Sequence, residues 1–121
     1  MARVLLALAA GPGFPEGSPE HRYEIELMLD AAGRPDGRAW AADPTPWRAQ
    51  RIVPDAPPTQ GDVQHDPDHG WTIRFYGATP ESPDAPESSL EFGAEPVRPG
   101  EYVTVTEPDG QAYAYRVVGI T

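Results

Sequence analysis

Hydrophobic and polar residues alternate along much of this chain, and a period of two marks a strand with one face buried. Trp71, Ile73 and Phe75 fall on one face, with Thr72, Arg74 and Tyr76 on the other. Tyr102-Val103-Thr104-Val105-Thr106 is rich in β-branched residues, and Ala112-Tyr113-Ala114-Tyr115-Arg116-Val117-Val118 alternates small with large. Both suit a pleated, half-buried surface. The run 4–10 is apolar throughout and stops at Gly11-Pro12-Gly13, as a buried strand closed by a turn would. Preceded by Arg3 alone, the same run is at the lower length limit for the apolar core of a secretory signal. We read it as a strand and expect no signal peptide.

Window 20–32 carries two patterns. Tyr23, Ile25, Leu27 and Leu29 alternate with Glu24, Glu26, Met28 and Asp30, which predicts a strand. Ile25, Met28, Leu29 and Ala32 also fit a helical stripe, with Ser18-Pro19-Glu20 as a start and Gly33 as a stop. The tetrapeptide Arg34-Pro35-Asp36-Gly37 favours the strand, because the same x-Pro-Asp-Gly pattern returns at Glu107-Pro108-Asp109-Gly110. Proline presets the first central turn position, and glycine supplies positive φ where the chain returns. Both tetrapeptides therefore predict hairpins. A short helix is predicted over 45–51, with Thr45 as cap and Pro46 at the first helical position.

Proline sharpens this picture. Sixteen prolines punctuate the 121 residues, and each one blocks a helix interior. Segments 54–70 and 78–89 are predicted as Pro-rich loops, and the spacing of Pro80, Pro83 and Pro86 favours an extended polyproline path in the second. The expectation is a single domain over 1–121, mainly β. It takes the form of an antiparallel sandwich or partly closed barrel of about six or seven strands with one short helix. The alternative is α+β, with a helix at 19–32 against the sheet. The expected core is Leu6, Leu8, Ile25, Leu27, Leu29, Trp40, Trp71, Ile73, Phe75, Val103, Val105, Tyr113, Tyr115 and Val117.

Composition then removes whole classes of chemistry. The chain has no Cys, no Lys and no Asn, and its nine basic residues are all Arg. Disulfides, thiolate nucleophiles, Schiff-base lysines and lysine-dependent phosphate loops are thereby excluded. A net charge of −10 repels phosphate backbones and anionic lipid surfaces, so neither a nucleic acid nor a membrane is expected as a partner. No cofactor is indicated. Ser18, Ser82, Ser88 and Ser89 lie outside any nucleophile elbow.

Two constellations carry candidate chemistry. His65, Asp66, Asp68 and His69 supply imidazole and carboxylate ligands within five residues, donors that suit a divalent transition metal. The i, i+4 spacing works on a helix, and Pro67 opposes one, so a polar surface turn is the competing reading. Arg34, Arg38, Arg48 and Arg51 interleave with Trp40 and Trp47, a mixture able to clamp a phosphate or stack on a base. Trp47, Arg48, Arg51 and Tyr76 are the candidate ligand or partner contacts. The acidic stretch with Glu81, Asp84, Glu87, Glu91 and Glu95 reads as a solvated loop. Scarce catalytic residue types and stiff loops favour a non-catalytic subunit that works by protein–protein contact, in the cytoplasm or within an assembly, with a protein partner or a second copy. A small-ligand or carbohydrate-binding β-domain is the second reading. A metal-assisted enzyme using His65 and His69 is the third.

Overall fold

In the computed structural model, which describes residues 1–11, 13–76 and 86–121, eight antiparallel strands close into one barrel. The order is β1 (Ala2–Leu8), β2 (Ser18–Leu27), α1 (Gly37–Ala42), β3 (Arg48–Ile52), β4 (Thr59–Asp66), β5 (Gly70–Phe75), β6 (Glu87–Phe92), β7 (Tyr102–Thr106) and β8 (Ala112–Ile120). Each strand pairs with its successor in sequence, and β8 pairs back onto β1 through Val4↔Ile120 and Leu8↔Tyr115. Closure leaves no unpaired edge among the eight described strands. The register shifts at Ala7/Leu8 in the β1–β2 ladder and at Leu5/Leu6 in the β1–β8 ladder. Such irregularities add the local bend and twist that a closing sheet needs.

Alternation decides what faces inward. Val4, Leu6 and Leu8 of β1, Tyr23, Ile25 and Leu27 of β2, and Trp71, Ile73 and Phe75 of β5 are all buried. Val103, Val105, Tyr115 and Val117 complete the far side, with Trp47 at one end. This apolar filling makes the interior a packed core. The fold class is as expected, with eight strands rather than six or seven and with the barrel fully closed. The helix at 19–32 is overturned. The period-two pattern prevails there because Tyr23, Ile25 and Leu27 share the inner face.

The one described helix lies elsewhere than expected. Segment 45–51 was predicted helical, but Arg48–Ile52 is strand β3, and the helix is Gly37–Ala42. Asp36 is the reason: its Oδ1 accepts from the amides of Arg38 and Ala39 at 3.0 and 3.1 Å, the bonds of an N-cap. The predicted hairpin at 34–37 is thus a helix start. Asp43 ends the helix with extended backbone, and its Oδ1 takes the Thr45 amide at 2.9 Å, so Thr45 does not cap a new helix. The turn at 107–110 is a hairpin as predicted. The Glu107 amide donates to the Gln111 carbonyl at 2.7 Å, and Gly110 sits at φ +89°, a conformation glycine adopts without strain.

Segment 54–70 is only partly loop, because β4 occupies Thr59–Asp66 between Pro58 and Pro67. Of the loop predicted over 78–89, residues 78–85 lie outside the described residues, and Glu87, Ser88 and Ser89 belong to β6. Three expected core residues, Leu29, Trp40 and Tyr113, pack against the core while partly exposed. No helix among the described residues is long and apolar enough to cross a membrane.

Candidate functional site

The barrel's two ends and its outer wall each gather side chains that sequence spacing does not connect. At the end formed by the β7–β8 turn, Glu107 is a buried carboxylate. Its Oε2 accepts from the Tyr23 hydroxyl at 2.5 Å and from Arg51 Nε at 2.9 Å, and its Oε1 accepts from the Tyr115 hydroxyl at 2.5 Å. Ser88 Oγ lies 2.8 Å from the Tyr23 oxygen. The two tyrosine rings meet edge to face with centroids 5.2 Å apart, a preferred aromatic geometry. Three strands and a turn are therefore tied to one carboxylate, and β6 joins through Ser88 and Tyr23.

Burial raises the pKa of both Tyr23 and Tyr115 well above the usual phenol value, and the Glu107 carboxylate adds to the rise. Each phenol keeps its proton and donates it, so neither serves as a base near neutral pH. This satisfied network acts as a lock on the closed barrel. It also sets an alkaline limit. The unfolded chain releases these protons near pH 10 while the folded chain retains them. Stability is fully present below pH 10 and falls above it, by up to about 2.7 kcal/mol per pH unit for two protons. Tyrosinate absorbance for Tyr23 and Tyr115 should rise only together with loss of the β circular-dichroism signal. In a Tyr23→Phe/Tyr115→Phe variant, the fall in stability should be shallower.

At the opposite end α1 lies over the barrel. Trp40 donates its Nε1 proton to the Val63 carbonyl at 2.9 Å. His65 sits between two indoles, with ring centroids 6.0 Å from Trp40 and 4.3 Å from Trp71, and Trp71 stacks on Trp47 at 5.9 Å and 11°. Gly37 permits this closeness, because a Cβ there would stand 2.5 Å from His65 Cε1. Clefts open on either side of Pro35: one of about 500 Å³ against Trp40 and His65, another of about 450 Å³ against Trp71 and Phe92.

The predicted metal residues do not form a common site. His65 is held in the aromatic stack, whereas His69 is exposed in the β4–β5 turn. Asp66 Oδ1 accepts from the amides of Asp68 and His69 at 2.7 and 3.3 Å. The Asp68 bond above all lowers the Asp66 pKa, as expected of a carboxylate engaged in a turn. Among the described residues, no three His, Asp or Glu side chains converge to hold a metal ion.

The predicted contact residues also divide. Trp47 is fully buried, which corrects its placement outside the core. Arg51 belongs to the Glu107 lock. Arg48 and Tyr76 do meet on the outer wall, but around a shared acceptor: Arg48 Nη1 and the Tyr76 hydroxyl reach Asp62 Oδ1 at 2.9 and 2.6 Å. The Arg48 guanidinium lies 5.8 Å from the Tyr76 ring centre.

The outer wall has two characters. Over β2–β6 it carries Glu24, Glu26, Arg48, Gln50, Gln60, Asp62, Arg74, Glu87 and Glu91, bonded in part to one another. Over β7, β8 and β1 the outward positions are Tyr102, Thr104, Thr106, Ala112, Ala114, Arg116, Val118, Arg3, Leu5 and Ala7. None of these is acidic, in a chain of net charge −10. Tyr102 and Val118 are 59% and 52% exposed. Sequence reasoning missed this face, although its signal was present: the alternation that chose the core of β7 and β8 leaves an uncharged complement. It missed Glu107 because no local spacing joins that residue to its partners. Comparison with protein-family models, curated proteins and solved structures finds no match for this chain.

Proposed function

We propose that this barrel is a non-catalytic contact module that binds another protein through the outer face of β7, β8 and β1. The carrying observation is the segregation of charge. Carboxylates populate the β2–β6 wall, while the β7–β8–β1 wall offers Tyr102, Val118 and a run of alanine and threonine with only Arg3 and Arg116 charged. Uncharged surface with an aromatic anchor is what the centre of a protein interface requires, and charge there is costly. A rigid closed barrel adds little ordering cost on docking. The packed interior speaks against a ligand carried inside the barrel: Tyr23, Trp47, Phe75 and Tyr115 fill it.

The test is the apparent size of the tagged chain in extract from its native source, beside the purified 13.1 kDa protein. The expected result is a larger species that survives moderate salt. A Tyr102→Asp/Val118→Asp variant should return to the size of the lone chain, and Gln64→Asp on the opposite wall should not. If the wild type runs alone in extract, or if the double variant keeps its partner, the reading fails.

A further inference from the structure

The two clefts beside Pro35 repeat one chemistry. The first sets Trp40 against Asp30 and Asp36, and the second sets Phe92 against Asp30 and Glu91, with the buried Trp71 contributing little surface. Each carries one guanidinium, Arg38 in the first and Arg34 in the second. Asp30 lines both clefts, so three carboxylates face two arginines across the pair, and the whole chain adds a field of net charge −10. The aromatic faces of Trp40 and Phe92 and the nearby carboxylates attract an organic cation, whereas Trp71 is already covered by Trp47 and His65. Arg34 and Arg38 are exposed, as Asp30 and Glu91 are, whereas Trp40 and Phe92 are half-buried. The aromatic surface therefore lies inward of the charges in both clefts.

We propose that this end of the barrel binds an extended basic segment of another protein, placing one arginine or lysine side chain in each cleft. The occupant follows from the doubled arrangement. A single small cation would use one cleft, whereas an extended chain presents side chains at regular intervals to both. Both clefts are open-sided, which suits a side chain arriving from a partner rather than an enclosed metabolite. This site shares no residue with the β7–β8–β1 wall, so the two readings stand or fall separately.

The experiment is a titration of the ¹⁵N-labelled full chain with a synthetic peptide of alternating arginine and glycine, about eight residues long so that it spans both clefts. The indole N–H signals of Trp40 and Trp71 and the amides of Gly37 and Gly70 are expected to shift together. An Asp30→Asn/Glu91→Gln variant is expected to bind about fivefold more weakly, the scale of losing two exposed charge contacts. Asparagine at 30 keeps the acceptor that Ala32 and Arg34 amides use at 2.9 and 3.0 Å, so the turn survives, and an unchanged signal dispersion checks this. The Tyr102→Asp/Val118→Asp variant should bind the peptide as the wild type does. Shifts confined to the β2–β4 wall would overturn the proposal, as would undiminished binding by the Asp30→Asn/Glu91→Gln variant. So would equal shifts with a glutamate–glycine peptide, equal shifts with arginine amide alone at the same molar concentration, or no shift at all.

Discussion

Replacing Glu107 with alanine is expected to remove about 3–4 kcal/mol of folding stability, a large share of the total for a domain of this size. The loss has three sources. The Tyr23 and Tyr115 hydroxyls, both donated to this carboxylate at 2.5 Å, are left without it inside the barrel. Tyr115 then becomes a buried unsatisfied group, at a cost of about 1–3 kcal/mol, while Tyr23 keeps Ser88 Oγ at 2.8 Å. Arg51 loses its only carboxylate contact among the described residues, a smaller penalty because its side chain, 26% exposed, retains hydration. Urea unfolding followed by tryptophan fluorescence measures the loss. Glu107→Gln, which keeps an acceptor, should fall between the wild type and alanine. Tyr115→Phe should cost about 1 kcal/mol alone and much less in the Glu107→Ala background, because the two groups share one bond. A loss below about 1 kcal/mol for Glu107→Ala would mean that water replaces the carboxylate, and that the network does not lock the barrel.

Trp47→Ala is expected to cost about 3–5 kcal/mol, the range for removing a fully buried aromatic. Trp47 has no exposed surface, stacks on Trp71 and donates its Nε1 proton to Asp43 Oδ2 at 2.9 Å. Its removal opens a cavity beneath α1 and frees one face of Trp71. Stacked indoles 5.9 Å apart should also couple their excited states. The variant is therefore expected to lose a paired band of the circular-dichroism spectrum that the wild type shows. Trp47→Phe should retain more of the stability but not the band. If Trp47→Ala unfolds within about 1 kcal/mol of the wild type, the indole does not fill the core as described.

These two residues show how much of the candidate sites could be read from sequence. Trp47 lies near Arg48 and Arg51, and that neighbourhood suggested an exposed contact. On a strand its neighbours alternate, so Trp47 and Ala49 turn inward while Arg48 turns out to Asp62. Misreading 45–51 as a helix therefore misplaced the side chain as well. Glu107 borders a Pro-Asp-Gly turn and reads as a polar turn residue. Its partners at 23, 51 and 115 come from three strands, one of them 84 residues away, and Ser88 joins from a fourth through Tyr23. The Arg and Trp residues between 34 and 51 stand close in sequence and read there as one group. The structure distributes them among the α1 end, the outer wall and the Glu107 lock.

What the sequence determined by itself is whatever period and turn chemistry encode locally. β1, β2, β5, β7 and β8, their inward residues and the 107–110 hairpin follow from alternation, because each pleat sends neighbouring side chains to opposite faces. What only the tertiary structure decided is closure, the presence of β3 and β4 between prolines, and the choice of Asp36 over Thr45 as helix cap. Short strands bury enough surface to persist only once both neighbours are in place, and the final β1–β8 pairing joins residues from opposite ends of the chain. The same closure brought Glu107 to its tyrosines and set the uncharged outward positions of β7, β8 and β1 side by side, because both depend on which strands meet.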